Sequence, residues 1–196
     1  SLIWRPLPLP KETALVIADS NVRRKLADSA YNERRETCEQ AVEILNKLDP
    51  KIRSLRDLSP DQFQDISELM PEKIRKRAEH VVMEIERVRE ASVFLLEENP
   101  EEFGKLMVEG HKSLRDLYEV SIEELDGLVE IALGLQGCYG SRLTGAGFGG
   151  CTVSLVQKEK SEEFSRKLAE RYQKRFHKNA DVYICQPSRG AYIEGV

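Results

Sequence analysis

The sequence predicts an α+β fold, an antiparallel sheet backed by several helices, and three observations carry that prediction. β-prone segments lie far apart in the chain, one at 13–20 and others from residue 139 onward. Between them, residues 31–133 place apolar side chains at helical spacing. A hairpin, one more helix and a strand-like segment complete the order, which suits helices packed on one sheet. We find no internal repeat, low-complexity tract or second-domain boundary, so residues 1–196 read as one unit.

Taken in order, the opening SLIWRPLPLPKE, with Pro6, Pro8 and Pro10, reads as a linker or a leading strand. It lacks an initiator methionine, and the expectation is a piece of a longer protein. TALVIADS (13–20) is a short apolar run ended by Asp and Ser, hence a buried strand. From Tyr31 to Leu48 the positions Tyr31, Cys38, Ala41, Val42, Leu45 and Leu48 keep helical spacing, and Asp49-Pro50 stops the run. Ser59-Pro60-Asp61-Gln62 combines a serine cap, proline at the first helical position and glutamine three residues on. Pro71 opens a longer helix striped by Ile74, Ala78, Val81, Val82, Ile85, Val88, Leu95 and Leu96. Asn99-Pro100 opens the next, carrying Phe103, Leu106, Met107, Leu114 and Tyr118. Ser121-Ile122-Glu123-Glu124 reads as a capping box for a helix that Gly134 and Gly137 end. YGSRLTG and CTVSLVQ then have strand composition on either side of a glycine loop. Residues 161–177 return to helix, DVYICQ (181–186) is strand-like, and AYIEGV suits a terminal strand.

Composition narrows the function classes. A net charge of −4 gives no electrostatic reason to expect nucleic acid or an anionic membrane as partner. The basic clusters Arg23–Arg24–Lys25 and Lys73–Arg75–Lys76–Arg77 read as solvated faces. No apolar run reaches the ~18 residues of a membrane span, and no signal peptide opens the chain. Cysteines at 38, 138, 151 and 185 form no CxxC pair, and His80, His111 and His177 are scattered, so no metal-ligand spacing emerges. Buried free thiols in a reducing compartment are the expectation.

The glycine loop is the feature with chemical content. Gly145, Gly147 and Gly150 match G-x-G-x-x-G literally, but a dinucleotide site needs a helix opening directly after them. Here β-prone CTVSLVQ follows, so no helix amino terminus faces a pyrophosphate and that reading fails. Two readings remain: a hairpin turn, or a backbone loop packed against phosphates or against another loop that holds them. Tyr31 likewise divides between a core ring, sharing a face with Cys38 and Leu45, and a ligand hydroxyl. Asp19, Asp28 and Asp116 read as caps or surface charges.

GSRLTGAGFGGCTVSLV (140–156) resembles the third signature motif of the GHMP small-molecule kinases, in its galactokinase form, to which Phe148 is the pointer. DSNVRRKLADSAYNERRETCEQA (19–41), RAEHVVMEIERV (77–88) and FGKLMVEGHKSLRDLYEVSIEELD (103–126) resemble further galactokinase segments in the right order. The resemblance implies a cytoplasmic kinase that transfers the γ-phosphoryl group of ATP to the C1 hydroxyl of galactose with Mg²⁺. It implies that Tyr31 reaches the sugar through its hydroxyl. It also implies that Gly145, Gly147, Phe148, Gly149 and Gly150 form the loop abutting the phosphates, with Thr144 as a candidate donor. Ala146 stands where the family often has glycine.

The family's first motif, resembling GRVNLIGEHTDY, and its serine-rich phosphate loop are not in these residues. The expectation is therefore a carboxy-terminal domain whose amino-terminal ATP- and sugar-binding partner is absent. Such a chain has no catalytic base or metal ligand of its own, holds no cofactor tightly and does not turn over alone. A sugar sensor without chemistry, or a kinase for another sugar such as N-acetylgalactosamine, are the alternatives. The face around Tyr31 and Gly145–Gly150 is expected to expose an apolar wall and to promote self-association.

Overall fold

The computed structural model describes residues 6–23 and 27–187, with side chains from residue 30 onward in the second stretch. The terminal strand expected at 191–196 and the side chain of Asp28 lie outside the described residues.

β1 (Thr13–Asp19) alternates as its sequence requires, with Ala14, Val16 and Ala18 fully buried. It pairs antiparallel with β3 (Cys151–Gln157) on one side and β4 (Asp181–Cys185) on the other, setting Val16 opposite Ser154 and Ile17 opposite Tyr183. β2 (Cys138–Thr144) forms the hairpin with β3 across the glycine loop, and the strand order is β2-β3-β1-β4. The α+β, antiparallel architecture is the one the sequence predicts.

Small residues on β1 let two helices approach closely. Leu128 and Ala132 of α5 (Glu123–Leu133) and Phe164, Leu168 and Tyr172 of α6 (Ser161–Phe176) pack on Ala14, Val16, Ala18 and Val156. The Tyr172 hydroxyl is satisfied inside that core by donating to the Ser20 carbonyl at 2.9 Å.

A second core joins α1 (Ala27–Leu48), α2 (Pro60–Ile66) and α3 (Glu72–Leu96) through Ala41, Leu45, Phe63, Met70, Ala78 and Val82. The predicted cap of α2 is formed in full: Ser59 Oγ accepts from the Gln62 amide, and Gln62 Oε1 accepts from the Ser59 amide. α4 (Pro100–Asp116) opens on the Asn99 side chain, as its sequence requires, and lies against β2. Gly104 stacks directly on the Tyr139–Gly140 backbone there, leaving no room for a Cβ.

Three sequence expectations differ from the structure. The α3 stripe is buried only as far as Val82; Val88 and Leu96 are exposed, because the helix outruns the α1 and α2 core. Ile122, not Ser121, is the N-cap of α5, and the Ser121 hydroxyl turns to Asp126 Oδ1 at 2.5 Å. Arg77, expected on a solvated face, is 2% exposed. It stands three residues after Ile74 and four before Val81, so helical geometry carries it inward with the stripe.

Candidate functional site

The loop between β2 and β3 has an unusual backbone. Gly145, Gly147, Phe148, Gly149 and Gly150 all have positive φ, and Ala146 alone does not. Four of those five are glycines, the residue that adopts this geometry without steric cost. Alternation in the sign of φ, as across Gly145, Ala146 and Gly147, is the pattern that turns neighbouring amides toward one side, a concavity suited to an anion. Thr144, Gly145 and Ala146 form the exposed rim, whereas Gly147 and Gly149 are buried. A Cβ on Gly147 would overlap the Val120 carbonyl, and one on Gly149 the Val22 carbonyl.

The turn after α4 holds this loop. Leu117, Tyr118, Glu119 and Val120 each present a carbonyl oxygen that is captured. Arg77 of α3 donates to the Leu117 carbonyl and, at 2.6 Å, to Glu119 Oε2. Arg34 of α1 donates to the Tyr118 carbonyl at 2.9 Å and the Glu119 carbonyl at 2.6 Å. The Phe148 amide donates to the Val120 carbonyl at 2.7 Å. Arg34 also lies over the Phe148 ring, 5.3 Å from its centroid. One turn therefore ties α1, α3 and the glycine loop together. Glu119 has φ 51° without being glycine, so no residue type in the sequence marks the turn.

Tyr31 stands one helical turn before Arg34 on α1 and is 59% exposed. The core-ring reading does not describe it. It lines a cavity of about 750 Å³ with Arg35, Cys38, Glu39, Arg53 and Tyr118 among its walls. Both signs of charge and a partly buried phenol set polar groups in a wall that Val42, Leu55, Val81 and Ile85 also line. Burial, with Cys38 adding, pushes the Tyr118 hydroxyl up to about 12, so it remains a neutral donor. The Glu33 carboxylate is held below its ordinary range, chiefly by Lys73 at 2.6 Å and against some burial, with Arg34 adding. A smaller cavity of about 320 Å³ lies at the end of the loop, lined by Arg23 with Asp19, Asn21, Val22 and Gly150.

The remaining candidates have local roles. Asp19 Oδ1 accepts from the Asn21 amide at 2.9 Å, a short turn. Asp116 pairs with Arg115 on the surface. A more apolar groove lies elsewhere, lined by Leu15, Val88, Leu95, Phe103 and Val153. Among the described residues no group of His, Cys, Asp or Glu is placed to hold a metal ion, and no helix is long and apolar enough to cross a membrane.

The chain resembles known proteins over most of its length. Residues 91–174 match the family model described as GHMP kinases C terminal. A galactokinase of Roseiflexus sp. (strain RS-1) is 48% identical over 189 residues, covering 96% of this chain and 48% of that protein. One from Chloroflexus aggregans is 44% identical with the same coverage. The crystal structure of Lactococcus lactis galactokinase complexed with galactose superposes with a TM-score of 0.85 at 36% identity, covering 90% of this chain and 46% of that one. The chain spans about half the length of the curated relatives it matches.

Proposed function

We propose, from a chain that carries a GHMP kinase carboxy-terminal domain of the galactokinase type, that it supplies one half of a sugar kinase site. The reaction moves the γ-phosphoryl group of ATP to the C1 hydroxyl of galactose. One observation supports this division of labour above the others. Arg34 couples the helix bearing Tyr31 to the glycine loop, so a sugar-side hydroxyl and a phosphate-side backbone share one rigid frame. Phosphoryl transfer depends mainly on holding two substrates in line, and a frame of this kind serves that need.

In this reading the Tyr31 hydroxyl orients galactose, and the exposed rim amides of Gly145 and Ala146 present partial positive charge to ATP oxygens, those of Phe148 and Gly150 being taken by the Val120 and Val22 carbonyls. Arg23 brings a cation to the end of the loop. Mg²⁺ neutralises phosphate charge in such reactions. Among the described residues no group of three or more His, Cys, Asp or Glu side chains comes together, and no step here is assigned to the metal. The catalytic base, the metal ligands and the second phosphate loop belong to an amino-terminal half of galactokinase type. A cytoplasmic setting, where ATP is abundant, belongs to the same reading.

The test joins this chain behind the amino-terminal half of the Roseiflexus galactokinase and assays it with galactose and ATP, reading the product by ³¹P NMR. The joined protein is expected to form a C1 phosphate, and the chain alone none. Turnover by the chain alone would overturn the division of labour. A folded joined protein that leaves galactose untouched, beside an active Roseiflexus enzyme, would overturn the kinase reading.

A further inference from the structure

His111 has a role that packing alone does not supply. It sits in the middle of α4, is 3% exposed, and faces the end of β2. β2 is an edge strand, so some of its amides find no partner in the sheet. The Leu143 amide is such a group, buried two residues before the first glycine of the loop, and it donates to His111 Nδ1 at 3.3 Å. An acceptor at Nδ1 leaves the imidazole proton on Nε2. Nε2 stands 3.2 Å from Asp126 Oδ1, in the first turn of α5, an electrostatic contact without the alignment of a hydrogen bond.

Asp126 is held in turn. Burial alone would raise its pKa, yet the His111 and Ser121 contacts keep it below the ordinary carboxylate range. Ser121 follows Val120, whose carbonyl receives the Phe148 amide. The start of the loop and its middle are thus both anchored to the segment 120–126, the start through His111 and the middle through Val120. A leucine at 111 would fill the space and leave the Leu143 amide without an acceptor.

We propose that His111, oriented by Asp126, is a positioning residue that sets where the glycine loop leaves β2. Its catalytic consequence rests on the kinase reading above; the clamp itself does not.

The test separates the two. Amide hydrogen exchange is measured on the chain itself for His111→Leu, His111→Asn and Asp126→Ala. His111→Leu is expected to speed exchange at Leu143 and 144–150 by about tenfold or more while Val16 and Leu155 keep their protection. His111→Asn places an oxygen where Nδ1 stands, and is expected to restore the Leu143 protection. Unchanged loop exchange in His111→Leu would overturn the clamp, as would an equal speeding of every amide. Should His111→Leu fail to fold, Asp126→Ala carries the same comparison: it removes the Oδ1 that both Ser121 and His111 Nε2 face, frees the imidazole, and is expected to speed Leu143 exchange. In the joined enzyme, His111→Leu is expected to lower kcat about tenfold with the galactose KM unchanged, and His111→Asn to recover most of it. Unchanged kcat would overturn the positioning role. An inactive unsubstituted joined protein would count against the kinase reading, leaving the exchange result to decide the clamp.

Discussion

The Arg34 guanidinium lies over the Phe148 ring while donating to the carbonyls of Tyr118 and Glu119. A helix far from the loop in sequence is thereby fastened to it. Replacing Arg34 with alanine strands two carbonyls and removes the ring contact, with an expected loss of about 2–4 kcal/mol. Arg34→Lys is expected to recover less than half, since one ammonium cannot match the planar fork. Urea denaturation of the three proteins measures both values.

Gly147 and Ala146 are neighbours with opposite expectations. Gly147 has φ 78° and no space for a Cβ beside the Val120 carbonyl. Gly147→Ala is expected to cost at least about 2 kcal/mol, from backbone strain together with the overlap. Ala146 is exposed and lacks positive φ, so Ala146→Gly is expected to stay within about 0.5 kcal/mol. Thermal melts of both variants check the contrast.

His80 predicts a pH dependence of stability. Burial pushes its pKa down to about 4, with Glu84 opposing and Arg87, Arg142 and Arg77 adding. Its Nδ1 lies 2.8 Å from the Ser113 hydroxyl. The unfolded chain binds the proton near pH 6.5 and the folded chain only near 4. Stability is therefore fully present above pH 6.5 and lost as pH falls through that window, by about 3 kcal/mol in total. His80→Asn has no such group to titrate. The stability lost between pH 7 and pH 4, by urea denaturation, is expected to be smaller in that variant by up to this amount.

Tyr31→Phe removes one exposed hydroxyl. Because Tyr31 is largely outside the core, its melting temperature is expected to shift little. In the enzyme joined to its amino-terminal half, the galactose KM is expected to rise about tenfold, the size of one lost hydrogen bond to substrate. Unchanged KM would remove Tyr31 from the sugar site.

Much of the fold is legible in local chemistry. Ser59-Pro60-Asp61-Gln62 and Asn99-Pro100 start helices because their side chains satisfy nearby amides, a property of adjacent residues alone. Ser121 had the same signature and a different outcome. Its hydroxyl bonds Asp126, five residues on and facing His111 of α4, and that contact takes the place of the cap. Arg77 could have been read inward from its spacing to Ile74 and Val81, but its charge suggests solvent. What rewards its burial is the Leu117 carbonyl and the Glu119 carboxylate, forty residues away in the chain and in reach only after α3 and α4 pack.

The sequence by itself determined the helices, the strands and their α+β class, because periodicity and capping act over a few residues. It also determined the glycine loop, because few residue types tolerate positive φ. Only the tertiary structure decided what that loop is fastened to. The Val120 carbonyl, the Leu143 amide and the imidazole of His111 are buried polar groups that need partners, and the less covered carbonyls of Leu117, Tyr118 and Glu119 take theirs beside them. Which partner each finds depends on how the helices pack, and that packing brings Arg34, Arg77 and Asp126 to them.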